Sequence, residues 1–118
     1  MKVLLAGGSG IVATLVIPFL KQHHTLRVFD RRAPEDTTLE FLKGELADPQ
    51  ALKEAVKGMD AFIYLAMGSV DWENWSGIES AYDVNIKGLH FLFRTAAQER
   101  ITQAVYCSSM SVYADLRN

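Results

Sequence analysis

Apolar and polar residues change rhythm several times along the chain. Lys2–Ala6 is a short apolar run closed by glycines, the pattern of a strand buried on both faces. Residues 10–22 follow, with Ile11, Leu15 and Phe19 at helical spacing. Pro18 inside that stretch removes one backbone donor, which predicts a kink or an early frayed end. A second strand is predicted at 25–29, a polar loop with a proline at 31–38, and a third strand over the alternating residues 39–43. Asp48 is placed to cap a helix whose first position is Pro49. That helix should run to Lys57 and end at Gly58. A fourth strand is predicted at 60–65, then a long loop at 67–77 holding Trp72 and Trp75. A long helix over about 79–99 and a fifth strand at 102–107 complete the pattern.

Strands alternating with helices predict an α/β fold built on a parallel sheet. The right-handed crossover rule narrows the topology to a doubly wound sheet of about five strands in the order 3-2-1-4-5. Residues 1–118 read as one domain, with no linker, low-complexity segment or sequence repeat.

Composition adds exclusions. Of 118 residues, 49% are hydrophobic and 22% charged, with a formal net charge of −2, an ordinary globular balance. The longest cationic run is Arg31-Arg32, so the basic footprint of a nucleic-acid binder is missing. The apolar run at 3–6 is too short for a signal peptide or a membrane span. The single cysteine, Cys107, has no partner for an internal disulfide and reads as a small buried hydrophobe. A reducing compartment fits, and the cytoplasm is the expected location. His23 and His24 suit a helix end rather than a metal site, and His90 reads as surface or interface. No metal site is expected.

The most informative stretch is Ala6-Gly7-Gly8-Ser9-Gly10-Ile11-Val12-Ala13, which follows a strand and opens a helix. Gly7 permits a tight turn, Gly10 lets a pyrophosphate approach the backbone, and Ala13 lets the helix pack close to the sheet. The free N–H groups of the first helical turn, around Ile11 and Val12, would then face the phosphates, aided by the helix dipole. Glycines also make ordinary turns, so a second feature is needed. Asp30 ends the second strand twenty positions after Gly10, the spacing at which a carboxylate accepts the adenosine ribose hydroxyls. A solvated turn acid is the plain alternative. A carboxylate there repels a 2′-phosphate and favours NAD; Arg31 and Arg32 keep NADP open.

Together these motifs make the chain similar to the extended short-chain dehydrogenases/reductases, the NAD-dependent epimerase/dehydratase group, over nearly its whole length. The glycine pattern resembles the family's Gly-x-x-Gly-x-x-Gly, with Ala13 at the last, still small, position. Gly44-Glu45-Leu46 is similar to the acid-plus-apolar pair beside the adenine. Tyr64-Leu65-Ala66 resembles the family's His-Leu-Ala under the nicotinamide side, with Met67 following. Asn85 and Gly88 match the helix motif Asn-x-x-Gly. Val105-Tyr-Cys-Ser-Ser-Met-Ser-Val-Tyr113 resembles Ser-Ser-x-x-Val-Tyr.

The resemblance implies a Rossmann-type fold and a parent enzyme using NAD to oxidise and re-reduce a secondary alcohol, on a sugar or nucleotide-sugar. It makes Ser109 the catalytic serine that orients the substrate oxygen. The family's proton-transferring Tyr-x-x-x-Lys lies well downstream of that serine, and only nine residues follow Ser109 here. The 118 residues by themselves are therefore expected to be inactive. Tyr113 with Arg117 is a weak substitute pair, since the Val-Tyr residue is usually structural in the family. A different class also fits: a non-catalytic NAD-binding sensor or scaffold. Trp72 and Trp75, at the carboxyl edge of the sheet, either cap a substrate pocket or pack their loop. The 79–99 helix carries two apolar stripes, one through Val84, Gly88, Leu92 and Ala96 and one through Ile86, Leu89, Phe93 and Ala97. A helix on an open sheet needs one, so the second predicts a homodimer through this helix.

Overall fold

The computed structural model describes residues 1–109. Five strands, β1 (Lys2–Ala6), β2 (Thr25–Asp30), β3 (Glu40–Lys43), β4 (Ala61–Tyr64) and β5 (Gln103–Tyr106), form one parallel sheet in the order β3-β2-β1-β4-β5. β2 and β3 are laid to one side of the first strand and β4 and β5 to the other; with right-handed crossovers, that reversal of direction puts the connecting helices on opposite faces of the sheet.

Alternation along the strands sorts the core into two layers. Leu4, Ala6, Phe29, Phe62 and Tyr64 face Leu52, Ala55 and Val56 of α2 (Pro49–Val56) and Leu92 and Ala96 of α4 (Leu89–Gln98). Val3, Leu5, Leu26, Val28 and Ala61 face Ala13 and Ile17 of α1 (Ile11–Leu20). Each wholly buried Leu or Phe contributes about 1.5–3 kcal/mol. Helix α2 begins as its sequence dictates: the Asp48 carboxylate accepts from the Gln50 and Ala51 amides at 3.0 and 3.3 Å. It ends before Gly58, whose φ is +73°. Arg27 on β2 closes the far end, its guanidinium donating to the Ala55 and Lys57 carbonyls at 2.9 and 2.7 Å.

Helix α1 continues through Pro18 and stops at Leu20, two positions short of the predicted 22. The long helix differs more. It begins at Trp75, within the stretch predicted as loop, with α3 (Trp75–Tyr82). The Asp71 carboxylate accepts from the Glu73 and Asn74 amides and the Asn74 side chain. This turns the chain early, with Asn74 at the N-cap. A turn of π-helix, Asp83–Gly88, then separates α3 from α4. Cys107 is exposed, not buried, because it leaves the edge strand β5, whose four residues are all exposed themselves. Among the described residues no helix is long and apolar enough to cross a membrane.

Candidate functional site

The carboxyl ends of β1, β2 and β4 meet around the glycine turn. Gly7 continues the ladder, its N–H donating to the Phe29 carbonyl at 2.9 Å. Its φ is +82°, and a Cβ there would lie 2.4 Å from the Ala66 backbone nitrogen. Only glycine meets both conditions. Gly10 differs: a Cβ would find only the Gly7 carbonyl oxygen, at 3.6 Å, so that side of the turn is open. Gly10 is also the N-cap of α1 and supplies no capping side chain. The first-turn amides of Ile11 and Val12 thus carry the positive end of the helix dipole at an open backbone.

Asp30 is tied to that turn. One carboxylate oxygen accepts from the Ser9 amide at 3.1 Å and the other from the Arg32 amide at 3.2 Å. The Ser9 hydroxyl donates to the Arg32 carbonyl at 2.6 Å. The acid at the end of β2 and the loop after β1 form one hydrogen-bonded unit, and each carboxylate oxygen keeps a lone pair for a further donor. These features fit a dinucleotide: an open glycine turn for the pyrophosphate and an acid beside it for a ribose.

Next to Asp30, a cleft of about 410 Å³ gathers Arg31, Glu45, Leu46, Asp48, Glu79 and Asp83 among its walls. Arg31, just past the end of β2, and the adjacent Glu45 and Leu46 after β3 come together here. Its size is that of a small-molecule site, and its walls carry four carboxylates against the guanidinium of Arg31.

At the end of β4 the Leu65 amide donates to the Ala6 carbonyl at 2.8 Å, and Met67 is 74% exposed. The Asn85 side-chain oxygen accepts from the Gly68 amide at 2.9 Å, so Asn85 holds this loop from the π turn. The two tryptophans part ways. Trp72 lines a smaller cavity of about 190 Å³ with Ala81, Tyr82, Asn85 and Ile86, whereas Trp75 is 82% exposed on α3. Ser109 is exposed beyond β5. The remainder of the serine motif, Tyr113 and Arg117 lie outside the described residues.

Sequence reasoning missed the π turn and Tyr64, whose buried hydroxyl donates to the Val84 carbonyl. A polar ring closing an otherwise apolar strand was the available signal. It also missed Asp71 as the start signal of α3, although an acid three positions before Asn74 is a turn-forming pattern.

The family described as the NAD dependent epimerase/dehydratase family matches residues 3–118. The chain belongs to this family. Among its relatives is a 2-alkyl-3-oxoalkanoate reductase of Stenotrophomonas maltophilia, 29% identical over 116 residues, 95% of this chain and 34% of the relative. Another is N-acetyl-alpha-D-glucosaminyl-diphospho-ditrans,octacis-undecaprenol 4-epimerase of Escherichia coli, 29% identical over 95% of this chain and 33% of that protein. The crystal structure of a short-chain dehydrogenase/reductase superfamily protein from Agrobacterium tumefaciens with bound NAD superposes with a TM-score of 0.85. It is 32% identical, across 96% of this chain and 34% of that one. The chain spans about a third of the length of the curated relatives it matches.

Proposed function

We propose that the chain holds NAD along the carboxyl edge of its sheet and forms the cofactor-binding part of an oxidoreductase or epimerase acting on an alcohol or ketone carbon of a sugar or nucleotide-sugar. The observation that carries this reading is the Asp30 carboxylate bonded to the Ser9 amide of the glycine turn. In this reading the bond ties the ribose acceptor to the phosphate cradle. The sugar assignment draws on the glucosaminyl-diphospho-lipid epimerase. The oxoalkanoate reductase shows how far substrates diverge among relatives at this identity.

In this reading Gly7, Gly10, Ile11 and Val12 bind the pyrophosphate through backbone N–H groups, and Asp30 accepts the adenosine ribose hydroxyls. Arg31, Glu45 and Leu46 wall the adenine. Leu65, Ala66 and Met67 lie along the nicotinamide side, on a loop held by Asn85. When bound, the nicotinamide supplies hydride acceptance and return. Ser109 orients the substrate oxygen by hydrogen bonding. NAD is preferred to NADP, because Asp30, Glu45, Asp48 and Glu79 outnumber Arg31 and Arg32 around the ribose, with Asp83 paired to Lys87. The chain pairs with a second copy through the helix at 79–99.

Calorimetry on the wild type and Asp30→Ala tests the cofactor reading. Losing charge-assisted bonds to two hydroxyls should weaken NAD by about ten-fold or more and narrow the preference over NADP. Equal NAD affinity in the two proteins would overturn the ribose assignment.

A further inference from the structure

Tyr64 closes β4 at 1% exposure, yet its hydroxyl has a specific task. It donates to the backbone carbonyl of Val84, inside the π turn. That turn lies against it closely: a Cβ on Gly88 would stand 3.2 Å from the Tyr64 hydroxyl oxygen and 2.7 Å from Leu46 Cβ. The residue after Val84 is Asn85, whose side chain accepts from the Gly68 amide. Gly68 in turn rests on α3, where a Cβ would come 2.7 Å from Ala81 Cα. The loop leaving β4 is thus held at both ends, by Leu65 on the Ala6 carbonyl and by Gly68 on Asn85. Asn85 itself lies within the π turn, an uncommon backbone geometry.

We propose that Tyr64 is a positioning residue for the nicotinamide half of the site: its hydroxyl holds the Val84 carbonyl, which fixes the π turn, which lets Asn85 hold Gly68 and the 65–68 loop. Tyr64 touches no ligand in this scheme and acts through Asn85. Burial raises its ionisation far above that of an ordinary tyrosine, with the neighbouring Tyr106 adding to the rise, so the hydroxyl stays protonated and donating across the usable pH range. The inference rests on the NAD reading for its functional half.

Tyr64→Phe keeps the ring and removes the donor. Two measurements on the same chain decide the matter: hydrogen exchange at the Gly68 amide, and calorimetric affinities for NAD and for ADP-ribose, which lacks the nicotinamide. A bond of this kind is worth about ten-fold. Gly68 exchange should therefore rise by about that factor, and the NAD to ADP-ribose affinity ratio should fall by about three- to ten-fold while ADP-ribose affinity holds. Unchanged exchange and an unchanged ratio would overturn the proposal. A variant weakened equally toward both ligands would mark Tyr64 as merely structural and overturn it too. Should Tyr64→Phe fail to fold, Asn85→Ala takes its place and must lower the same ratio. In a folded pair the double variant should do no more than either single one. Wild type that binds neither ligand would sink the NAD reading, and the exchange measurement alone would then decide the Tyr64–Asn85–Gly68 link.

Discussion

Gly7 and Gly10 sit three positions apart and do opposite things. Gly7 serves the fold: its φ of +82° and its approach to the Ala66 backbone leave no room for a side chain. Gly10 serves the open side of the turn, where a methyl meets only a carbonyl at 3.6 Å. Gly7→Ala should therefore cost stability, about 2–4 kcal/mol from the positive φ and the overlap together. Gly10→Ala should melt within about 1 kcal/mol of wild type while losing NAD affinity. Thermal denaturation and calorimetry on both variants check this, and a Gly10→Ala protein that binds NAD normally would contradict the pyrophosphate placement. The sequence made this turn legible because its glycines and Asp30 carry their meaning in spacing alone. It did not reveal Tyr64 or Asn85 as a pair. Their link runs through a backbone carbonyl across 20 positions, and no residue type encodes that.

At the scale of elements, every strand was legible, since buried parallel strands are short apolar runs with turn residues between them. The start of the long helix was not, because its first residues, Trp75, Ser76 and Gly77, read as loop, and the turn before them is made by Asp71 and Asn74. The π turn was invisible, having no propensity of its own. The loop between β2 and β3 is legible only as polar, yet it is tied to α1 through Asp36. The Lys21 ammonium at 2.6 Å and the Thr38 hydroxyl and amide hold the Asp36 carboxyl down, from 3.8 to about 2. A carboxylate lowered in the folded state stabilises above its unfolded value and loses that contribution as pH falls through the folded one. Asp36 therefore contributes above about pH 4, and its contribution fades toward pH 2. Because the pair is exposed, Asp36→Asn should lower the melting temperature only slightly at neutral pH, and the gap should close as pH falls below about 2. A gap of equal size at both pH values would show that the tie is not the cause.

For the whole molecule, two apolar faces remain on the outside. One is the outer side of the long helix, with Ile86 58% and Phe93 43% exposed; the other is the outer side of α1, with Ile11, Leu15 and Phe19. The proposed homodimer uses the first. Phe93 also sets its ring edge-on against Phe62, with centroids 5.0 Å apart, so Ile86→Glu is the cleaner probe. Light scattering at high concentration should give a dimer for wild type and for Leu15→Glu, and a monomer for Ile86→Glu. A dimer that survives Ile86→Glu would move the interface elsewhere. The contact between Gly7 and Ala66 has a consequence for biosynthesis. The phosphate-binding turn leaves the ribosome before the backbone it rests against, which comes some sixty residues later. The central strand likewise waits for both of its neighbours. Until β4 has emerged, the turn has only its bonds to β2 to hold it, and one edge of β1, with Val3, Leu4 and Leu5, stays open to chaperones or to other nascent chains. The motif becomes a binding site only once the strand that follows it by some sixty residues has been made.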